Sequence, residues 1–158
     1  MKTVITVVGA RPQFIKAATV SRVIGQTTEL PVALPLHPRT HQRLIKAGAV
    51  SLTDGLTILP PVGYLDVILL ERGATVVATD SGGVQKEAYF HGVPCVTLRD
   101  ETEWQELVDL GWNRLAQRGL ADIVEQLLAA VGCTGEEAAP YGAGRAAGHI
   151  VEALRTKG

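Results

Sequence analysis

The chain predicts an α/β fold, a single Rossmann-like, doubly wound parallel sheet. Three observations carry this. Short apolar, β-branched runs alternate with segments of helical periodicity along all 158 residues. The runs are continuous rather than alternating, as strands buried on both faces should be. Polar breaks follow several of the runs, where a doubly wound sheet places its ligand-binding loops.

Residues 4–8 form the first strand, broken by Gly9-Ala10-Arg11-Pro12. Pro12 suits the first position of a helix, where a missing N–H costs nothing. Ile15, Ala18 and Ile24 supply that helix with an apolar face. Residues 32–36 form a second strand, interrupted by His37-Pro38-Arg39-Thr40, and a short helix follows to about Ala47. A third strand over 56–59 ends at Pro60-Pro61. Residues 64–70 are apolar nearly all round, which predicts a short helix buried between layers.

The fourth strand, 75–78, leads through Ser81-Gly82-Gly83 into a helix ending near His91, and the fifth spans 95–98. Thr102-Glu103-Trp104-Gln105 fits a capping box, with Trp104, Leu107 and Val108 lining one face of the helix it opens. Residues 112–116 predict a sixth, edge strand. Helical spacing returns at Leu120, Ile123, Val124, Leu127, Leu128 and Val131, and again at Ala143, Ala146, Ala147, Ile150, Val151 and Leu154. The glycine-flanked connection over 132–144 reads as mobile.

Composition narrows the function. A net charge of -1 and pI near 6.4 argue against a nucleic acid or a membrane surface as the main partner. No apolar run approaches the ~20 residues that span a bilayer. The start lacks the long apolar stretch of a signal peptide, so a cytoplasmic location is expected. Cys95 and Cys133 then read as buried free thiols. Aromatics are only 4% of the chain, so Tyr64 and Trp104 are expected in the core, with stacking on a base as the alternative.

A strand running into Ser81-Gly82-Gly83 and then a helix builds an anion site. The glycines let a ligand approach, and the free amides and the positive end of the helix dipole face it. Glu87, one turn on, can accept hydrogen bonds from sugar hydroxyls. Phosphate plus sugar points to a nucleotide or nucleotide-sugar. Arg11 and Lys16 add two cations at another strand–helix junction, and residues 1–28 hold no Asp or Glu to balance them. His37, closing a strand, would contact phosphate or orient a neighbour. His37 and His41 stand four apart, but the intervening proline and lack of a nearby third ligand argue against a metal. Asp100, Glu101 and Glu103 fit acidic groups favoured at a helix N-terminus.

Four motifs then converge: Gly9-Ala10-Arg11-Pro12-Gln13-Phe14-Ile15-Lys16, His37-Pro38-Arg39-Thr40, Asp80-Ser81-Gly82-Gly83-Val84-Gln85-Lys86-Glu87-Ala88 and Leu98-Arg99-Asp100-Glu101-Thr102-Glu103. Their order and spacing resemble the non-hydrolysing UDP-N-acetylglucosamine 2-epimerases. Glu103-Trp104 after Thr102 looks closest to the branch acting on uronic-acid derivatives of UDP-N-acetylglucosamine. Residues 1–25 resemble the first strand and helix of that family's N-terminal domain. Residues 30–158 resemble its C-terminal, nucleotide-binding domain without that domain's own first strand and helix, half of a GT-B-type architecture. If the N-terminal unit fills the vacated slot, residues 1–158 form a single UDP-binding domain.

The resemblance implies diphosphate contacts at Ser81, Gly82 and Gly83, a ribose contact at Glu87, and first-loop cations at Arg11 and Lys16. Val67 stands where many members carry an aromatic near the uracil, and Trp104 where many carry Arg. The family's carboxylate motifs, His-Gly-Asp and Glu-Ala-Gly-Leu-Arg, are absent from the sequence. Epimerisation by elimination and re-addition of UDP needs such acids and bases. The expected function is therefore binding of UDP or a UDP-sugar, with no cofactor and without a complete catalytic centre. Two alternatives stand beside it. One is an active oligomeric 2-epimerase borrowing Asp100, Glu101 or Glu103. The other is an interaction protein that no longer binds nucleotide. A homodimer is one way to cover the last helix.

Overall fold

The β-branched run near the start of the chain becomes the centre of the sheet. A computed structural model describes residues 3–7, 20–26, 30–116, 119–142 and 144–156. In it β1 (Val4–Val7) pairs in parallel with β2 (Val32–Pro35) on one side and β4 (Val76–Thr79) on the other. With β3 (Thr57–Leu59), β5 (Cys95–Thr97) and β6 (Asn113–Leu115), the order is β3-β2-β1-β4-β5-β6. All pairings are parallel, so the chain reverses direction across the sheet between β1 and β4.

Both faces of the sheet are covered, which explains the unbroken apolar strands. Val4, Val32, Val76, Ala78 and Val96 face a core shared with helical residues 20–26, through Val20 and Ile24, and with α6 (Leu120–Ala130), through Ile123, Leu127 and Ala130. Val77 and Cys95 point the other way, onto Val84 and Ala88 of α4 (Gly82–Phe90). Leu34 and Leu36 pack on Leu44 of α2 (Pro38–Lys46). The helix at 20–26, here α1, is tied to β1 by the buried Ser21 hydroxyl, which donates to Thr6 Oγ1 at 3.1 Å. Cys95 is a buried free thiol as expected, whereas Cys133 is only half-buried.

Several expectations are corrected. The helix read at 64–70 exists as α3 (Tyr64–Gly73), but it is not buried between layers. It packs on α4 at the surface, and Tyr64 and Leu65 are 62% and 73% exposed. An apolar pattern without a preferred side cannot say which side turns inward, and the residue that α3 buries is Glu71. Tyr64 is therefore not a core aromatic.

The capping box also fails. α5 (Gln105–Asp109) begins after Trp104 with no side-chain cap, and Gln105 Nε2 donates forward to Asp109 Oδ1 at 3.0 Å. Thr102 has a different partner, described below.

Within the connection over 132–144, Glu136 and Ala138 are bonded back to the domain. Glu136 N–H donates to Leu110 O at 2.8 Å, Trp112 Nε1 to Glu136 O at 2.9 Å, and Tyr89 Oη to Ala138 O at 2.5 Å. Beyond it, α7 (Ala146–Thr156) buries none of its residues, so Ile150, Val151 and Leu154 remain exposed. Among the described residues no helix is long and apolar enough to cross a membrane.

Candidate functional site

In a parallel sheet the strand order reverses at a crevice above the carboxyl ends of two neighbouring strands, and ligands bind there. Here those strands are β1 and β4. Thr79, fully buried at the end of β4, fixes the crevice from below. Its hydroxyl donates to Val7 O at 2.6 Å and accepts from Ser81 N–H at 3.0 Å. One side chain thus ties the two strand ends together and sets the angle at which the chain turns into α4.

Ser81 is the N-cap of α4 in extended geometry, but its hydroxyl makes no capping bond. Backbone bonding resumes at Gln85, whose N–H donates to Ser81 O. The amides of Gly82, Gly83 and Val84 precede that bond and have no acceptor within the helix. A helix N-terminus of this kind, with free amides and the positive end of the dipole, favours an anion.

Gly82 and Gly83 face different surroundings. A Cβ at Gly83 would find only Ser81 Oγ, at 3.8 Å, so that side is open. A Cβ at Gly82 would meet Glu103 Oε2 at 3.2 Å and Trp104 Nε1 at 3.4 Å. The loop after β5 therefore leans on the first residue of α4.

A buried polar network holds that loop. Gln85 Oε1 accepts from Thr102 Oγ1 at 2.5 Å and from Asn113 Nδ2 at 3.0 Å, while Asn113 Oδ1 accepts from Thr97 Oγ1 at 2.9 Å. Thr102 Oγ1 also accepts from Trp104 N–H at 3.1 Å. The need of buried Gln85 for a donor explains why Thr102 does not cap α5.

Trp104 Nε1 donates to Gly82 O at 2.8 Å. Lys86 Nζ lies 4.1 Å from the Trp104 ring centre and 3.9 Å from that of Tyr141. Trp104 is thus part of an aromatic group with Tyr141, Tyr89, Phe90 and Trp112. Sequence reasoning missed Thr79, Gln85 and Asn113 as positioning residues. Each is polar and lies in or beside an apolar run, and that was the available signal.

One ion pair stands beside the terminus. Arg99 Nη1 contacts both carboxylate oxygens of Glu103, at 3.0 and 3.1 Å. The backbone N–H of Glu103 and the Arg99 guanidinium hold that carboxyl below its ordinary range. Tyr64 Oη donates to Glu87 Oε1 at 3.0 Å, and this bond holds the Tyr64 phenol above its ordinary range. Glu87 therefore already accepts from one hydroxyl donor, that of Tyr64.

The other expected site residues divide as follows. His37 stands on the same rim, after β2, but its Nδ1 accepts from Arg39 N–H at 3.2 Å as the N-cap of α2. Pro38 takes the first helical position, so local structure accounts for this motif. Arg11 and Lys16 lie outside the described residues.

A family model described as UDP-N-acetylglucosamine 2-epimerase matches residues 6–155. A curated relative from Pseudomonas aeruginosa, a UDP-2,3-diacetamido-2,3-dideoxy-D-glucuronate 2-epimerase, is 45% identical over 130 residues. A UDP-N-acetylglucosamine 2-epimerase homolog from Methanococcus maripaludis is 43% identical over 127 residues. These alignments cover 82% and 78% of this chain but 36% of each relative, so the chain spans about a third of the length of the curated relatives it matches.

The Methanocaldococcus jannaschii UDP-GlcNAc 2-epimerase, solved in complex with UDP-GlcNAc and UDP, superposes with a TM-score of 0.81 at 27% identity. That match covers 98% of this chain and 45% of the neighbour, a GT-B-type epimerase. The chain belongs to the UDP-N-acetylglucosamine 2-epimerase family.

Proposed function

We propose that residues 1–158 form a single domain that binds UDP or UDP-N-acetylglucosamine and lacks a complete catalytic centre. The observation that carries this reading is the unpaired first turn of α4, with Ser81, Gly82 and Gly83 above the β1/β4 crevice. It occurs in a family whose Methanocaldococcus jannaschii member was solved with UDP-GlcNAc and UDP. The diphosphate lies against the amides of Gly82, Gly83 and Val84, and the ribose hydroxyls reach Glu87 beside Tyr64. His37, after β2, is a supporting donor, and Arg11 and Lys16 are the supporting cations of the proposal. The family's acid–base motifs are absent from the sequence, which supports binding rather than turnover by this chain.

Thermal unfolding with and without UDP tests the reading. At about 100 times Kd, ligand adds about 2.7 kcal/mol, which for a chain of this size raises the midpoint by roughly 5–10 °C. An unchanged midpoint at millimolar UDP, with the protein folded, contradicts it.

A further inference from the structure

The loop after β5 brings a carboxylate beside Gly82, the first residue of α4. Glu103 Oε2 lies within 3.2 Å of where a side chain on Gly82 would start, at the N-terminal shoulder of α4. Its flanking residues are fixed. Thr102 is bonded to Gln85, and Trp104 is bonded to Gly82 O and stacked with Lys86. Glu103 itself has a side chain 54% exposed, so it can leave by side-chain rotation while the backbone stays in place.

Its hold on Arg99 suits exchange. Both contacts use one guanidinium nitrogen, so the parallel two-nitrogen fork that strengthens such pairs is not made. A diphosphate offers more oxygens and more charge to the same guanidinium.

We propose that Glu103 is the resident anion of this site. It occupies the end of α4 and holds Arg99 when no ligand is bound, and a diphosphate displaces it and takes over Arg99. This rests on the reading of α4 as a UDP site and adds to it a built-in competitor. The contact makes the site selective. A ligand with a single weak charge, or none, gains nothing from Arg99, because it cannot outcompete a carboxylate already in place.

Calorimetric titration of the full chain with UDP and with uridine, at low and high salt, tests the exchange. Glu103→Gln should bind UDP about fivefold more tightly than wild type, as removal of an exposed like charge allows, with uridine unchanged. Arg99→Gln should weaken UDP by a similar factor. The gain should shrink at high salt, where exposed charges are screened.

Glu103→Ser repeats the comparison with a smaller side chain, and the unliganded unfolding midpoint checks each fold. UDP binding detected only in the Glu103 variants overturns the exchange, because the diphosphate then fails to displace the native carboxylate. If wild type binds UDP and Glu103→Gln binds it equally or more weakly, the exchange is wrong and the UDP site stands. Equal gains for UDP and uridine likewise overturn it. If neither wild type nor any variant binds UDP, the site reading fails and takes the exchange with it.

Discussion

Gly135→Ala is expected to lower the unfolding free energy by about 2–3 kcal/mol, a large effect for one methyl group. A Cβ at that position would stand 2.6 Å from Leu110 O and from Trp112 Cγ. One of those neighbours is backbone, so the clash cannot be relieved by turning a side chain. The segment must lift.

Lifting breaks the bonds from Glu136 N–H to Leu110 O and from Trp112 Nε1 to Glu136 O. It also draws Tyr141 away from Trp104 and Lys86. Urea unfolding should show a lower midpoint concentration with an unchanged slope. A variant within about 0.5 kcal/mol of wild type would show that the segment is not held as described.

Glu71→Gln should act in the opposite direction and only above acid pH. Glu71 is fully buried on α3, and neither carboxylate oxygen has a hydrogen-bond partner among the described residues. His91 Nε2, at the end of α4, is 3.8 Å away, too far for a hydrogen bond. Burial first, and then the Glu87 carboxylate, push the Glu71 carboxyl from 4.5 up to about 7.

The folded state therefore holds a proton that the unfolded chain releases near 4.5. The contribution of Glu71 is fully present below that pH, falls as pH rises toward 7, and is lost above it. The amide has no such loss. At pH 8 the variant should be more stable by on the order of 2 kcal/mol, and the two proteins should converge at acid pH. Unfolding curves that stay parallel across this range would show that the Glu71 carboxyl titrates normally.

What the sequence revealed depended on how local each cause was. β1 and β4 were legible because four adjacent β-branched or small residues sufficed, and each strand is buried on both faces. The Ser81-Gly82-Gly83 turn was legible because its shape comes from neighbouring residues. The side chain facing Gly82 comes from residue 103, across β5, and no local pattern announces it.

Thr102 was misread for the same reason. Capping is a contact over three residues, whereas its actual acceptor, Gln85, lies 17 residues earlier and on another helix. The aromatic group follows suit, since Trp104 and Tyr141 meet only because residues 136–138 are tied to α4 and to the loop before β6. Glu71 was hidden by its charge. A carboxylate at the end of an apolar helix reads as solvated, and only the packing of α3 on α4 turns it inward.

The central claim is that the first amides of α4 receive a diphosphate. Amide correlation spectra of the isotope-labelled chain, recorded during titration with UDP and with uridine, test it most directly. UDP should move the signals of Gly82, Gly83 and Val84 and the indole N–H of Trp104 further than any others, and uridine should leave those three amides in place. Saturable UDP binding that leaves the three amides unmoved, with the shifts gathered elsewhere, would contradict the account.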